Sequence, residues 1–173
     1  QTSPFGAISR YDTYMQKYGS KYHIDWYMLA SLIYQESKFH PDVVGKGNTF
    51  GLMQFSPGTG HKFGVNASSS PEQQIEGGCR YLNRLRQILE KEGVHDSAQL
   101  VPMVLAAYNA GSGHLIDAIA IASEEEHLNP QVWEGGVKEA LLLLGELAEF
   151  YGYHLLLKRY QQRLKTPVLG LFF

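Results

Sequence analysis

Apolar residues recur at intervals of three and four along most of this chain, which is the spacing of a helix face and not of a strand. A first amphipathic helix is expected from Ser9 to Tyr18, with Gly19 as its C-terminal stop. A second opens after Asp25, a good N-cap, and ends before His40-Pro41, because a residue preceding proline avoids helical angles. From Pro41 to Ser70 the chain is rich in Gly, Pro, Asn and Ser, with room for a short hairpin between Val43 and Phe55. A third helix opens at Ser70-Pro71-Glu72-Gln73, where serine caps, proline takes the first turn and glutamine closes a capping box. Its apolar stripe is Ile75, Cys79, Leu82 and Leu89. A fourth covers Ala98 to Tyr108, is broken at Ala110-Gly111-Ser112-Gly113, and is followed by another through Ala122. Asn129-Pro130 begins one more, carrying Trp133, Val137, Ala140, Leu141 and Leu144, and a last helix runs from Glu146 to Arg163. The fold class is mainly α: one domain over 1–173 with a helical core and a loop-rich segment holding at most a small hairpin.

Composition narrows the partners. At 173 residues the chain can bury one proper core and hardly two. A formal charge of -2 with no Lys/Arg cluster argues against nucleic acid, which demands concentrated positive charge. The 11 tyrosines supply rigid, half-polar surfaces that suit sugar rings as well as cores. One cysteine, Cys79, permits no internal disulfide, and its place on the apolar stripe makes it a core residue before a reactive thiol. The seven histidines show no metal-like spacing, so no metal is implied. The longest apolar run, Ala140 to Leu144, is too short to span a bilayer. The chain starts Gln-Thr-Ser without a basic and apolar leader, as a mature or trimmed protein would.

Within the second helix, Leu29, Leu32, Ile33 and Glu36 share one face. Glu36 thus stands where a core leucine is expected, while Lys38 points to water. A carboxyl pressed toward apolar surroundings loses hydration and its pKa rises, as a general acid requires near neutral pH. Periodicity alone leaves open the alternative of a partly exposed helix-end residue. Val101, Val104, Leu105 and Tyr108 form a comparable stripe ending in a phenol, which on its own reads as a core tyrosine. Asn109 beside it can cap a turn or hold a substrate amide. Gly51-Leu52-Met53-Gln54 lies in the loop-rich stretch, where glycine permits close backbone approach and glutamine offers a donor and an acceptor.

Taken together, Glu36-Ser37, Gly51-Leu52-Met53-Gln54 and Ala106-Ala107-Tyr108-Asn109-Ala110-Gly111 resemble, in that order, the motifs of soluble-type lytic transglycosylases. That family has a lysozyme-like fold and is related to goose-type lysozymes. The resemblance runs from about Tyr22 to Trp133, through Gln35-Glu36-Ser37-Lys38-Phe39 and Asn129-Pro130-Gln131-Val132-Trp133. It implies that Glu36 is the single catalytic acid and that Ser37 orients substrate and acid. It implies further that Gln54 meets a sugar N-acetyl group, that Gly51 and Met53 shape the cleft wall, that Tyr108 hydrogen-bonds near the glutamate, and that Asn109 supports that region. One segment departs from the pattern: Glu149-Phe150-Tyr151-Gly152-Tyr153-His154 is compressed. Tyr153 is the first candidate for the family's further cleft tyrosine and Tyr151 the second; both also read as packing residues.

The implied chemistry cuts the β-1,4 bond between N-acetylmuramic acid and N-acetylglucosamine without water. Glycosidases ordinarily use two carboxyls, whereas these motifs supply one. The substrate provides the second group, its N-acetyl stabilising the developing charge and its 6-hydroxyl attacking to give a 1,6-anhydro end. No metal or organic cofactor is implied. The partner is the peptidoglycan glycan strand, not nucleic acid, and the place is extracytoplasmic, in a bacterial periplasm or envelope. The chain is expected to be a monomer, alone or within a longer or membrane-anchored protein. Two other readings share these residues: a hydrolase of goose-lysozyme type, and a wall-binding module without turnover.

Overall fold

The computed structural model describes residues 6–150, with side chains described to residue 145. Among these residues the secondary structure is helical apart from isolated bridges, so the fold is mainly α. The chain divides into two compact units, Gln1–Asn83 and Arg84–Phe173.

In the first unit, α1 (Asp12–Tyr22) packs on α2 (Trp26–Ser37). Asp12 holds the start of α1 by accepting from the Ile8 and Ser9 amides, both at 2.8 Å. The expected stop at Gly19 is not where α1 ends. Gly19 is buried inside the helix, and a Cβ there would lie 2.8 Å from the Ile24 carbonyl and 3.3 Å from Trp26 Cβ. Its small size serves close approach, and His23 (φ 55°) takes the left-handed cap. Asp25 caps α2 as expected, accepting from the Tyr27 amide at 2.9 Å.

The loop-rich stretch holds two antiparallel bridges, Val44 with Phe50 and Phe50 with Phe55, in place of a continuous hairpin. It also contains a short helix that periodicity did not reveal, α3 (Pro57–Lys62), capped by the Ser56 hydroxyl and started by Pro57. Next comes α4 (Pro71–Lys91), within which the boundary between the units falls. The capping box forms in both directions: the Ser70 amide donates to Gln73 Oε1 at 2.8 Å and the Gln73 amide to Ser70 Oγ at 3.2 Å. Ile75, Cys79 and Leu82 are buried, and burial pushes the Cys79 thiol up to about 12, in keeping with a core cysteine.

In the second unit, α5 (Ser97–Ala110) packs on α6 (Ser112–Glu124), and α6 on α7 (Val137–Phe150). Asp96 caps α5 through the Ala98 amide at 2.9 Å. The buried side of α5 is Leu100, Met103, Val104 and Ala107; Val101, placed on the core stripe by periodicity, is 46% exposed. Residues 129–136 do not begin a helix. They form turns closed by an Asn129–Gly136 bridge and by the Trp133 amide donating to Gln99 Oε1 at 2.8 Å. The helix starts at Val137, where Glu139 accepts from the Gly136 amide at 2.8 Å, and it passes through Glu146 unbroken. The rest of the expected last helix lies outside the described residues.

Candidate active site

Glu36 sits in the last turn of α2, beside a face formed by Leu29, Leu32 and Ile33, all buried. It is half-buried itself, and loss of hydration raises its pKa above the ordinary carboxyl value. The carbonyl-rich end of the helix disfavours a negative charge in the same sense. Ser37 is buried, its hydroxyl donated to the Ile33 carbonyl at 3.1 Å, so it secures the terminal turn from within. The chain then leaves α2 through two consecutive left-handed residues, Lys38 (φ 54°) and Phe39 (φ 64°). Such backbone is unfavourable for residues with a Cβ and marks a tightly specified turn.

Gly51, Leu52, Met53 and Gln54 form one braced loop in the same unit. Gly51 has φ 82°, and a Cβ there would run into the Gln74 carboxamide, with Gln74 Cδ at 2.9 Å. Leu52 and Met53 are fully buried, and Met53 Sδ fits against Gly78 of α4, where no Cβ has room. Met53 is thus a foot of the loop in the core, not an exposed wall. Gln54 spends its amide internally: Nε2 donates to the Val43 carbonyl at 3.0 Å and to the Gly51 carbonyl at 2.9 Å, while Oε1 accepts from Thr49 Oγ1 at 2.9 Å. Any sugar contact of this side chain is left to the second lone pair of Oε1.

Sequence reasoning missed Gln74. This residue is 2% exposed on α4, and its Oε1 accepts from the Leu52 amide at 2.7 Å while Nε2 donates to the Ser69 and Pro41 carbonyls at 3.0 and 3.4 Å. The available signal was a glutamine at the inward position next to Ile75, since a polar group buried in a helix face needs partners.

Of the remaining site residues, Tyr108 is half-buried near the end of α5 in the second unit. Exposed Asn109 donates from Nδ2 to the Leu105 carbonyl at 3.1 Å. Tyr153 and Tyr151 lie outside the described residues. Among the described residues no group of three or more His, Cys, Asp or Glu side chains is placed to hold a metal ion. A groove of about 590 Å³ in the first unit is lined by Val44, Phe50, Pro57, His61, Val65 and Asn66 among others, and by none of the expected site residues.

The family model described as the transglycosylase SLT domain matches residues 13–130. The chain belongs to this family. Its match takes in Glu36, the Gly51–Gln54 loop and the Tyr108-Asn109 pair. The chain is 37% identical over 129 residues to membrane-bound lytic murein transglycosylase F of Pseudomonas putida, and 37% identical over 126 residues to the protein of the same name from Pseudomonas fluorescens. Each match takes in 73% of this chain but 25% of the relative, so the chain spans about a quarter of the length of these relatives. Among solved structures, an inactive glutamate-to-glutamine mutant of lytic transglycosylase Slt from Pseudomonas aeruginosa aligns with TM-score 0.53 and 21% identity. It covers 81% of this chain and 24% of that one. This is a likeness of fold, and it supplies the lysozyme-like helical architecture that the SLT motifs imply.

Proposed function

We propose that this chain is the catalytic part of a peptidoglycan lytic transglycosylase, with residues 1–173 working as one domain. The observation that carries the reading is a half-buried carboxyl, Glu36, whose pKa is raised; the motif resemblance gives this residue the part of the catalytic acid, and it falls within the span matched by the SLT family model. The protonated acid gives its proton to the glycosidic oxygen as the C1–O bond breaks, and the N-acetyl oxygen stabilises the charge left at C1. The 6-hydroxyl of the same muramic acid then bonds to C1 and returns its proton to Glu36. No water is consumed. The attack is intramolecular, so an orientation cost that water would meet is already removed.

Ser37 fixes the turn that carries the acid, and Gln54, Gly51 and Met53 fix the loop that the substrate meets. Tyr108 and Asn109 act as hydrogen-bonding groups for sugar and acid, and Tyr153 as a further sugar contact. The relatives are named membrane-bound murein transglycosylases, which supports peptidoglycan as substrate and a bacterial envelope, most simply the periplasm, as the place. Among the described residues no helix is long and apolar enough to cross a membrane. We read the chain as a monomer.

Mass spectrometry of digested sacculi tests the reading. Products with 1,6-anhydro ends, one water lighter than hydrolysed ones, are expected from the parent chain. Turnover should fall on the order of a hundredfold or more in Glu36→Gln. Hydrolysed ends alone, or near-normal turnover in that variant, would overturn it.

A further inference from the structure

The side of α2 opposite its core face carries Tyr27, Ser31 and Tyr34, all exposed. Tyr27 is 41% and Tyr34 53% exposed, large fractions for tyrosines in a folded domain. Seven residues of helix set the two rings about 10 Å apart along the axis and within about 20° of one another around it. Ser31 between them is small, and its hydroxyl is turned back to the Tyr27 carbonyl at 2.9 Å, which leaves a shallow gap. Each ring is widened by a neighbour: Trp26 lies 4.3 Å from Tyr27 and Phe39 5.9 Å from Tyr34, centroid to centroid. The Lys38 ammonium stands 4.1 Å from the centre of the Tyr34 ring and closes the row with a positive charge.

Two exposed aromatic pads separated by a small polar residue do not form the contiguous apolar patch of a protein interface. A single cation is too few for a nucleic acid. Sugar rings, by contrast, offer apolar C–H faces that stack on aromatics. A β-1,4-linked strand turns the same face to a surface once per disaccharide, a length close to the separation of the pads. Stem peptides, and the lactyl groups of muramic acids that bear no peptide, also carry carboxylates for Lys38. We propose that this outer face of α2 is a second, non-catalytic binding site for an N-acetylated β-1,4-glycan strand, holding wall polymer on the helix that carries Glu36. The inference rests on the transglycosylase reading for its ligand.

The test measures binding apart from turnover. In the Glu36→Gln background, the full chain is sedimented with insoluble sacculi and with chitin, which has the same linkage and N-acetyl groups but no carboxylate. The pair Tyr27→Ser with Tyr34→Ser should weaken binding to both polymers about tenfold or more, and the pair Tyr27→Phe with Tyr34→Phe should retain it. Lys38→Gln should weaken binding to sacculi and leave chitin unaffected. With Glu36 intact, the serine pair should cleave short soluble glycan fragments at the parent's rate and solubilise sacculi more slowly. Parental sedimentation by the serine pair, or equal losses in the serine and phenylalanine pairs at matched melting temperatures, would overturn the site. Absence of anhydro products would instead overturn the catalytic reading and leave the sedimentation result standing.

Discussion

The side-chain carbonyl of Gln74 accepts the backbone N–H of Leu52 at 2.7 Å, joining residues 22 positions apart. It places a strong acceptor under the Gly51–Gln54 loop at the point where the Leu52 amide, buried with its residue, has turned away from water. Nε2 of the same Gln74 side chain donates to the Ser69 and Pro41 carbonyls, so one side chain fixes both ends of the loop-rich stretch and its middle.

Replacing Gln74 by leucine keeps the volume but strands these partners. A buried amide left without its acceptor costs about 1–3 kcal/mol, so Gln74→Leu should melt several degrees below the parent in thermal unfolding. An unchanged melting temperature would mean that the loop does not lean on this contact.

What was legible in the sequence was what depends on neighbours in sequence. Asp25 and Ser70 announce helix starts because caps act within one turn, and Ile75, Cys79 and Leu82 declare a buried face by spacing alone. Glu36 stood out by the same arithmetic. Gly19 misled because a glycine reads alike whether it ends a helix or lets another segment approach, and only the position of Ile24 and Trp26 decides. Val101 and Leu100 differ by one step around a helix, so which of them is buried depends on how α5 packs on its neighbours, α6 among them, and not on the pattern of α5. The partners of Gln74 and the internal bonding of Gln54 were hidden because those partners lie in turns whose course no local rule specifies.

Gly78 offers a prediction whose sign is set by packing. In an open helix, Gly→Ala stabilises by about 1 kcal/mol. Here a Cβ would collide with Met53 Sδ, so Gly78→Ala should instead destabilise by about 1–3 kcal/mol. Shortening the obstacle in Gly78→Ala/Met53→Val should recover part of that loss. Urea denaturation of the three chains checks both the sign and the rescue.

The Thr49 and Gln54 pair permits a coupling measurement. Thr49→Val removes one bond to Gln54, and Gln54→Met removes that bond together with those to Val43 and Gly51. Residues sharing a hydrogen bond are not additive. The effect of Thr49→Val should therefore shrink by about 0.5–1.5 kcal/mol in the Gln54→Met background. Strict additivity in a double-mutant cycle would show that the two side chains act separately.

Glu36 makes a prediction about stability as well as turnover, and its direction follows from the raised pKa. A carboxyl with a higher pKa in the folded than in the unfolded chain binds its proton more tightly when folded. Below the unfolded value both states are protonated and the burial costs nothing through charge. As pH rises from there through the folded value, the unfolded chain releases its proton first, and the native state loses stability relative to it. Above the folded value the native chain carries a carboxylate it has only partly hydrated, and the loss is complete. Glu36→Gln removes that charge while keeping the shape. The variant should therefore melt at or above the parent at neutral pH, with the difference shrinking as pH falls below the ordinary carboxyl value. Melting curves of both chains at several pH values decide the matter. A variant less stable than the parent at neutral pH, or a difference that grows on acidification, would mean that the Glu36 carboxylate is stabilised in the fold and is not poised as an acid.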